Sequence, residues 1–300
     1  MKKNRDIYEY AEPVTQVVPL CFDQRQIPVC VARESVNERI MHSEIAHRHD
    51  GIELIAITHG TVRCRAAGEL FDLYKGDVCF INRDRLHRLF SDTDSKTSHE
   101  VLIVGSAVLT KDPFLYEKYI RPILEDVQFA HIRFSGKSSP AGVITEKIRH
   151  IEDTLRAQEA GYEFVLLSDI YQVCRQLYLA HTNKDNRQLY DPNAGIQEQM
   201  SAFIEEHFRE TISLNDIADA GGVSRSQCTK LFNHYTGLSP IAYLNRYRLE
   251  RSLERLRGAD ESIAKIAQEC GFADQSYYNR LFLREYGCTP LAYRKGKTFS

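Results

Sequence analysis

The hydrophobic pattern of the chain is strand-like up to about residue 108. Short segments with β-branched and aromatic residues recur there, separated by Gly or polar turns. They read PVCVA, IELIAITHG, TVRCRAA, ELFDLY, DVCFIN, LHRLFS and EVLIVGS. Many short strands with turn signals between them are typical of a β-sandwich or barrel. We therefore predict a barrel domain over residues 1–109.

A helical period replaces the strand pattern in residues 110–182. Apolar residues of VITEKIRHIEDTLRAQ fall on one helical stripe: Ile144, Ile148, Ile151 and Leu155. The pattern breaks at Gly161, and a second amphipathic helix follows, which predicts an antiparallel helical hairpin. The stripe could cover the barrel or contact a second copy of the chain. We favour the second copy and predict that residues 110–182 are a dimerisation region.

The polar segment HTNKDNRQLYDPNAG is rich in Asn, Asp, Pro and Gly and shows no period. Such a composition is typical of a linker. We place an interdomain linker at residues 183–195 and a separate helical domain at residues 196–300.

The C-terminal region contains an internal repeat with an offset of 50 residues. When SRSQCTKLFNHYTGLSPIAYL (224–244) is aligned with DQSYYNRLFLREYGCTPLAYR (274–294), seven of 21 positions are identical. In each copy a short helical segment with a small Ala precedes a Gly-containing turn and a second, capped helix. This order predicts two helix-turn-helix units, at about residues 213–237 and 262–287.

Each second helix has one apolar face and one polar face. A helical hairpin with an ordinary solvated face is the alternative, but polar faces at equivalent positions of both copies favour recognition helices that enter the DNA major groove. We predict that eight polar residues contact DNA: Arg225, Ser226, Thr229, Lys230, Gln275, Ser276, Asn279 and Arg280.

The segment PIAYLNRYRLERSLERLRG (240–258) joins the two units and keeps a helical period up to Gly258. At ~1.5 Å per residue, such a helix is roughly 27 Å long. With the flanking turns, this length can place two recognition helices about one DNA turn apart, ~34 Å.

The formal net charge of −2 does not indicate a nucleic-acid partner. The distribution of charge along the chain does. Residues 221–300 hold 13 Lys and Arg against seven Asp and Glu, whereas residues 191–220 hold one against seven. A basic terminal region is a mild indication of a polyanion, although a solvated face would also explain it.

Composition argues for a protein of the cytoplasm. The start, MKKNRDIYEYAEP, has no apolar segment of the kind found in signal peptides, and the longest apolar run is too short to span a bilayer. The eight cysteines form no C-x-x-C pair, so we expect buried thiols in a reducing compartment.

Residues 196–295 resemble the DNA-binding domain of the AraC/XylS family of bacterial transcription regulators, above all in IAQECGFADQSYYNRLFLREYGCTPLAYR. The resemblance implies two helix-turn-helix units that bind asymmetric promoter sites through the eight residues named above. Ser226 and Thr229 are smaller than the side chains common there, which implies weaker base-specific readout by the first unit. Ser252 stands where Ala is usual, a departure that we expect to be harmless.

The stretch HRHDGIELIAITHG (47–60) resembles the first motif of cupin barrels. Gly76, Asn82, Asp84 and His87 keep the spacing of the second motif, with Asn82 and Asp84 in place of its usual Pro and Gly. The residues at the ligand positions are His47, His49, Glu53 and His87. In cupin enzymes this set holds a divalent metal, and imidazoles with a carboxylate suit Fe, Mn, Ni or Zn.

Three interpretations of these four residues stay open: a catalytic metal centre, a site for a small effector, and histidines satisfied by local hydrogen bonds. Because cupin-type barrels joined to AraC-type domains usually sense, we favour an effector site, with no metal and no cofactor. The chain also lacks a nucleophile elbow, a Gly-rich phosphate loop and an H-E-x-x-H motif.

The predicted architecture is a multidomain α+β protein: an N-terminal cupin-like β-barrel with a helical hairpin, then an all-α double helix-turn-helix domain. The predicted function is an effector-responsive, cytoplasmic transcription regulator that acts as an activator. Its expected partners are promoter DNA, RNA polymerase, a small-molecule effector and a second copy of the chain, and no membrane. The alternative is a metal-dependent cupin enzyme with a helical appendage, and a third possibility is a regulator that senses a metal ion through the same four residues.

Overall fold

The computed structural model describes residues 27–34, 46–91, 97–186, 191–258 and 261–295. Within these residues the chain forms eight strands: β1 (Val29–Glu34), β2 (Gly51–His59), β3 (Thr61–Ala66), β4 (Glu69–Tyr74), β5 (Val78–Ile81), β6 (His87–Phe90), β7 (Ser98–Gly105) and β8 (His131–Phe134). The seven strands expected from the sequence are all confirmed. The N-terminal segment that was examined for a signal peptide, and Cys21, lie outside the described residues.

The strands form two antiparallel sheets that pack face to face. One sheet has the order β1-β7-β2-β5-β8 and the other has the order β4-β3-β6. Apolar side chains from both sheets share one buried cluster, with Ile55 and Ile57 of β2 packed against Val62, Cys64 and Leu89 of the smaller sheet. The predicted β-rich N-terminal domain is thus present, and its interior lies between the sheets.

Strand β2 is buried on both faces. Ile52 and Leu54 belong to the cluster that packs against the helices, whereas Ile55 and Ile57 belong to the cluster between the sheets. Because side chains alternate along a strand, Glu53 shares the inward side with Ile55 and Ile57. This register places a carboxylate inside the domain.

The last strand, β8, lies in the region that was expected to be helical. It pairs with β5, with Val78 opposite Phe134 and Ile81 opposite His131. The β-rich domain therefore extends beyond the predicted boundary at residue 109. HIRF has only four residues, so its pairing with β5, not its own pattern, defines it as a strand.

Twelve α-helical segments occur in the described residues: α1 (Ser106–Leu109), α2 (Pro113–Leu115), α3 (Arg121–Glu125), α4 (Ser139–Ala157), α5 (Tyr162–Thr182), α6 (Pro192–His207), α7 (Leu214–Ala220), α8 (Arg225–Thr236), α9 (Pro240–Gly258), α10 (Ile263–Glu269), α11 (Gln275–Tyr286) and α12 (Pro290–Arg294). A π-helical turn (Tyr116–Ile120) joins α2 to α3, and a 3-10 turn (Lys184–Asn186) follows α5. None of these described helices combines the length and the apolar composition that a membrane crossing requires.

The predicted hairpin is formed by α4 and α5, but its apolar stripe does not face a second copy. Ile144, Ile148 and Ile151 are fully buried in one cluster with Leu54 and Leu102 of the larger sheet. The favoured interpretation of the stripe as a dimer contact was therefore wrong. The stripe covers the outer face of the sheet, because that face also carries apolar side chains.

The C-terminal helices match the predicted units closely. Helices α7 and α8 form the first unit, and helices α10 and α11 form the second. A hydroxyl or carboxylate caps each of the four helix starts, at Ser213, Ser224, Ser262 and Asp274. The glycines Gly237 and Gly287 adopt left-handed conformations where α8 and α11 end.

The predicted linker is too long at its C-terminal end. Helix α6 begins at Pro192 and is capped by the Asp191 side chain, which accepts a hydrogen bond from the amide of Asn193. The domain therefore starts several residues before residue 196. Residues 187–190 of the predicted linker lie outside the described residues.

Helix α9 belongs to both units. Leu244 near its start packs in the core of the first unit, whereas Leu249, Leu253 and Leu256 pack in the core of the second. Arg248 lies between these two groups of leucines, and its guanidinium donates to the carbonyls of Phe208 (2.7 Å) and Glu210 (2.6 Å), just after α6. The two helix-turn-helix units thus share one rigid element.

Candidate effector site and nucleic-acid interface

The four predicted effector residues come together between the two sheets. His47 and His49 precede β2, Glu53 lies on β2 of the larger sheet, and His87 begins β6 of the smaller sheet. Each offers one possible ligand atom, and these four atoms lie within 4.8 Å of one another. All four side chains are buried, with at most 6% of any residue exposed. We call this set the histidine cluster.

Backbone carbonyls orient two of the imidazoles. Nδ1 of His49 donates to the carbonyl of Gly51 (3.1 Å), and Nδ1 of His87 donates to that of Arg85 (2.8 Å). The Nε2 atoms of both rings lie 2.7 Å from Oε2 of Glu53. With the proton on Nδ1, each Nε2 directs a lone pair at a carboxylate oxygen. A proton or a metal ion must therefore lie between each of these nitrogens and the carboxylate oxygen.

The pKa values in the cluster shift in opposite directions. Burial would raise the pKa of Glu53, but the charge of His87 and hydrogen bonds from both imidazoles hold it well below its usual value. Burial would lower the pKa of His87, but Glu53 and the Arg85 carbonyl raise it above its usual value. The carboxylate is therefore held ionised, which both a protonated cluster and a cation site require.

The two departures from the second cupin motif have clear structural reasons. Asn82 is buried, and its Nδ2 donates to the carbonyls of Ile123 (2.8 Å) and Phe129 (3.0 Å), which holds the segment before β8 against β5. Asp84 has a φ of 58°, the left-handed conformation that explains why Gly is usual there and why Asp is tolerated. Its amide donates to the carbonyl of His49 (2.9 Å).

The predicted DNA-contacting residues lie on the recognition helices α8 and α11, and none of them belongs to a buried cluster. Six are exposed: Arg225, Ser226, Lys230, Gln275, Ser276 and Arg280. Thr229 and Asn279, at equivalent positions, are half-buried. The Thr229 hydroxyl donates to the carbonyl of Arg225 (3.0 Å), so it is engaged within its own helix. The buried residues of α8 and α11 match the predicted core faces.

Comparison with known proteins assigns the two halves separately. Residues 217–296 match a helix-turn-helix domain family, and residues 37–109 match the AraC-like ligand-binding domain family. The chain is 29% identical over 255 residues to the transcriptional activator RhaS of Escherichia fergusonii, covering 85% of this chain and 88% of that protein. It is 26% identical over 271 residues to the transcriptional regulator YdeC of Bacillus subtilis, covering 90% and 92%.

The two matched domains occur in the order found in AraC-type transcription regulators. Among solved structures it is similar to ToxT of Vibrio cholerae, with a TM-score of 0.49 and 13% identity, over 91% of this chain and 99% of that one. It is also similar to an AraC-type regulator from Chromobacterium violaceum, with a TM-score of 0.34 and 28% identity, over 35% of this chain and 94% of that one. DNA binding and effector sensing are the shared functions of the matched domains.

Sequence reasoning missed the contacts between the barrel and the first helix-turn-helix unit. Arg48 forms an ion pair with Glu205 of α6 (3.2 Å), and Arg85 forms one with Glu198 of the same helix (3.1 Å). Arg88 donates to the carbonyl of Thr236 at the end of α8 (3.0 Å). The acidic residues of 191–220 were the available signal, since two of them, Glu198 and Glu205, pair with barrel arginines.

A cavity of about 410 Å³ lies beside these contacts. Its lining includes ionisable residues of both domains: Glu69, Arg85, His131, Asp191, Glu198 and His234. None of the four residues of the histidine cluster lines it, although Arg85 is two residues from His87. Space for an organic molecule and the predicted effector residues are therefore found at neighbouring but different places.

Proposed function

We propose that this AraC-family chain is a sequence-specific activator of transcription, controlled by an effector at the histidine cluster, and not an enzyme. The observation that carries the DNA-binding part is the pair of recognition helices with polar, largely exposed faces at equivalent positions. Activation is supported by the relatives named as activators, RhaS among them. An activator of this kind works through contact with RNA polymerase.

Selection of binding sites from random duplexes tests sequence-specific binding. The purified full chain should enrich one asymmetric motif, and the selected site should bind about 10³-fold or more tighter than a scrambled duplex. The double variant Gln275→Ala and Arg280→Ala should lose most of this preference. Arg121→Ala, which removes an exposed positive charge from α3 of the N-terminal half, is the control. Failure to enrich any motif would contradict the proposal.

The effector site is the histidine cluster, and its donor set fits a divalent transition metal. Three imidazoles and one carboxylate are preferred ligands of such ions, and their ligand atoms already converge. The hydrogen bonds of His49 and His87 to backbone carbonyls orient their rings as the outer contacts of metal-bound histidines do. When bound, the ion would replace the protons that Glu53 otherwise attracts. A metal ion is therefore our candidate effector.

Titration of chelator-treated protein with Zn²⁺ tests this site. We expect one ion per chain, and loss of binding in His49→Ala and in Glu53→Gln. His59→Ala, which changes an exposed histidine at the end of the same strand, should bind normally. If wild-type protein binds no divalent transition metal, the cluster is not a metal site, and an organic effector should be sought in the cavity beside Arg85.

We further propose a cytoplasmic homodimer that uses the outer surface of the helical region. The stripe of α4 is covered, but Phe164 and Leu179 of α5 are 81% and 47% exposed, and Phe114 of α2 is 65% exposed. Large exposed apolar side chains are favoured at interfaces between proteins. Sedimentation of wild-type protein should show a dimer, and Phe164→Ser should shift it towards the monomer. A wild-type monomer at micromolar concentration would contradict this part.

The alternative, a metal-dependent enzyme, would share the histidine cluster. The matches of both halves to regulator families favour the regulator. The two proposals differ in what the cluster variants lose. In a regulator, His49→Ala should change how DNA binding responds to the effector, and neither wild type nor the variant should have catalytic activity.

A further inference from the structure

Two short segments connect the histidine cluster to the first helix-turn-helix unit. Residues 46–49 and 85–88 run antiparallel, and His47 and His87 exchange backbone hydrogen bonds of 2.8 and 2.9 Å. We call these two segments the ribbon. A paired, extended ribbon directs successive side chains to opposite faces. Accordingly, His47 and His49 alternate with Ala46 and Arg48, and His87 lies between Leu86 and Arg88.

The inner face of the ribbon carries three of the four cluster residues. His47, His49 and His87 are each at most 6% exposed and surround Glu53. The residues between and beside them face the other way. Arg48 stands between the first two histidines, and Arg88 follows the third.

The outer face of the ribbon is the contact surface with the first helix-turn-helix unit. Ala46 and Leu86 are buried in the same apolar cluster as Met200 and Ile204 of α6. Arg48 pairs with Glu205 of the same helix at 3.2 Å. One layer of backbone therefore separates the cluster from the core of the DNA-binding unit.

The same surface holds the end of the first recognition helix. Arg88 donates to the carbonyl of Thr236, and Arg65 of the neighbouring strand β3 donates to the carbonyl of His234. Positive charge is favoured at the carboxyl end of a helix, where carbonyls lack partners within the helix. These contacts fix α8 while Arg225 and Ser226 at its start stay exposed.

We propose that the ribbon transmits occupancy of the histidine cluster to the position of the first helix-turn-helix unit. This inference rests on the proposed function, in which the cluster binds a metal ion. An ion between the imidazoles and Glu53 replaces direct nitrogen–oxygen contacts of 2.7 Å with bonds to a common centre, so the inner face must adjust. Because the backbone is shared, Arg48 and Arg88 move with it and change how α6 and α8 are held.

Coupling between two sites is reciprocal and must appear as a change in affinity. The affinity of the full chain for its selected DNA site is measured with saturating Zn²⁺ and with chelator. We expect the two values for wild-type protein to differ at least about fivefold, the lower end of the usual range for coupled sites. Direct Zn²⁺ titration of the same sample measures cluster binding separately.

The variant that removes the polar contacts of the ribbon is Arg48→Gln with Glu205→Gln, Arg85→Gln with Glu198→Gln, and Arg88→Gln. Changing both members of each ion pair leaves neither charge buried alone. Zn²⁺ affinity should stay within about twofold of wild type, while the effect of Zn²⁺ on DNA affinity falls below about twofold. Unchanged Zn²⁺ binding also shows that the variant is folded. Arg255→Gln with Glu261→Gln removes a 2.8 Å ion pair within the second unit and should keep the full effect.

The outcomes separate this inference from the proposed function. If wild-type protein binds Zn²⁺ through His49 but its DNA affinity does not respond, the metal site stands and the ribbon is refuted. If DNA affinity in the ribbon variant still responds fully to Zn²⁺, the coupling does not depend on the ribbon contacts and the inference is again refuted. If wild-type protein binds no Zn²⁺, the metal site fails and the inference fails with it.

Discussion

Arg48 of the barrel and Glu205 of α6 form an ion pair of 3.2 Å across the boundary between the two domains. The side chains are only 19% and 15% exposed, so water screens the pair weakly. Burial raises the pKa of Glu205 above its usual value, and the nearby Arg48 only partly offsets this. The domain boundary therefore contains a carboxyl group that folding makes harder to ionise.

This raised pKa makes stability depend on pH. Between the usual value of 4.5 and the raised value, the folded chain binds more protons at Glu205 than the unfolded chain does. The stability that Glu205 contributes is therefore fully present below its usual pKa and is lost as the pH rises through its raised pKa in the folded chain. Glu205→Gln should remove it.

Urea unfolding at about pH 4.5 and about pH 7.5 measures this dependence. As the pH rises, the unfolding free energy of wild type should decrease relative to that of Glu205→Gln. Glu206→Gln, which changes an exposed glutamate of the same helix, is the control and should show no such trend. Parallel pH profiles for wild type and Glu205→Gln would contradict the prediction.

Arg280 is an exposed residue of the second predicted recognition helix, and a guanidinium can bind the edge of a guanine through two hydrogen bonds. If it makes a bidentate base contact, Arg280→Ala should weaken specific binding by about 1–3 kcal/mol and relax the preference at one base position. Gel-shift titration on the selected site, and on its single-base variants, measures both effects. Unchanged affinity for the selected site would show that this contact assignment is wrong.

Lys230, the counterpart of Arg280 in the first unit, should contact phosphate. The side chains near it are small, and the Thr229 hydroxyl is bonded to the Arg225 carbonyl, so the first unit offers little base readout. Lys230→Ala should weaken binding about equally for all sequences and lower the salt slope by about one. Titrations at several salt concentrations test this, and a variant that changes base preference at constant slope would argue against it.

The sequence predicted the local elements well because their signals are local. Strand alternation and the 50-residue repeat identified seven strands and both helix-turn-helix units. β8 was missed because HIRF becomes a strand only through its pairing with β5. The stripe of Ile144 and its neighbours showed that one face of α4 is buried, but a stripe does not specify which surface covers it.

The candidate site was predictable only in part. Motif spacing identified His47, His49, Glu53 and His87, which the fold brings together. Arg48, Arg85 and Arg88 were missed because their role depends on how two domains dock, and no local pattern encodes that. The alternation of His and Arg along the ribbon was visible in the sequence, but its meaning required the acidic partners Glu198 and Glu205.

Ser252, which departs from the usual Ala of the family, has a structural role in α9. It is fully buried, its hydroxyl donates to the Leu249 carbonyl, and it accepts a hydrogen bond from the Tyr278 hydroxyl (3.0 Å). Ser252→Ala would leave the buried Tyr278 hydroxyl without this partner, which should cost about 1–3 kcal/mol. Ser at this position is therefore accommodated by two hydrogen bonds, whereas replacing it with the usual Ala should destabilise the core.

A double variant tests the assignment to Ser252. Ser252→Ala with Tyr278→Phe removes both hydroxyls and should recover most of the lost stability, since no polar group is left unsatisfied. Thermal unfolding of the single and double variants measures the difference. Equal stability of Ser252→Ala and wild type would contradict the prediction.

Gly271 and Gly222 occupy equivalent turns of the two helix-turn-helix units, and both have left-handed φ values, 84° and 62°. Replacing either by Ala should cost about 1–2 kcal/mol for this backbone conformation alone. Their surroundings differ. A Cβ at Gly271 would lie 2.3 Å from the Phe208 carbonyl oxygen and 2.8 Å from Nε of Arg248, whereas no atom lies within 4 Å of a Cβ at Gly222.

Gly271→Ala should therefore disturb the Arg248–Phe208 hydrogen bond at the place where the turn of the second unit meets the first unit, and Gly222→Ala should not. We expect Gly271→Ala to destabilise the protein beyond the roughly 1–2 kcal/mol of the control and to lower affinity for the full DNA site. Thermal unfolding and gel-shift titration of the two variants, side by side, measure these effects. Equal losses in both variants would mean that the close approach at Gly271 does not fix the spacing of the two recognition helices.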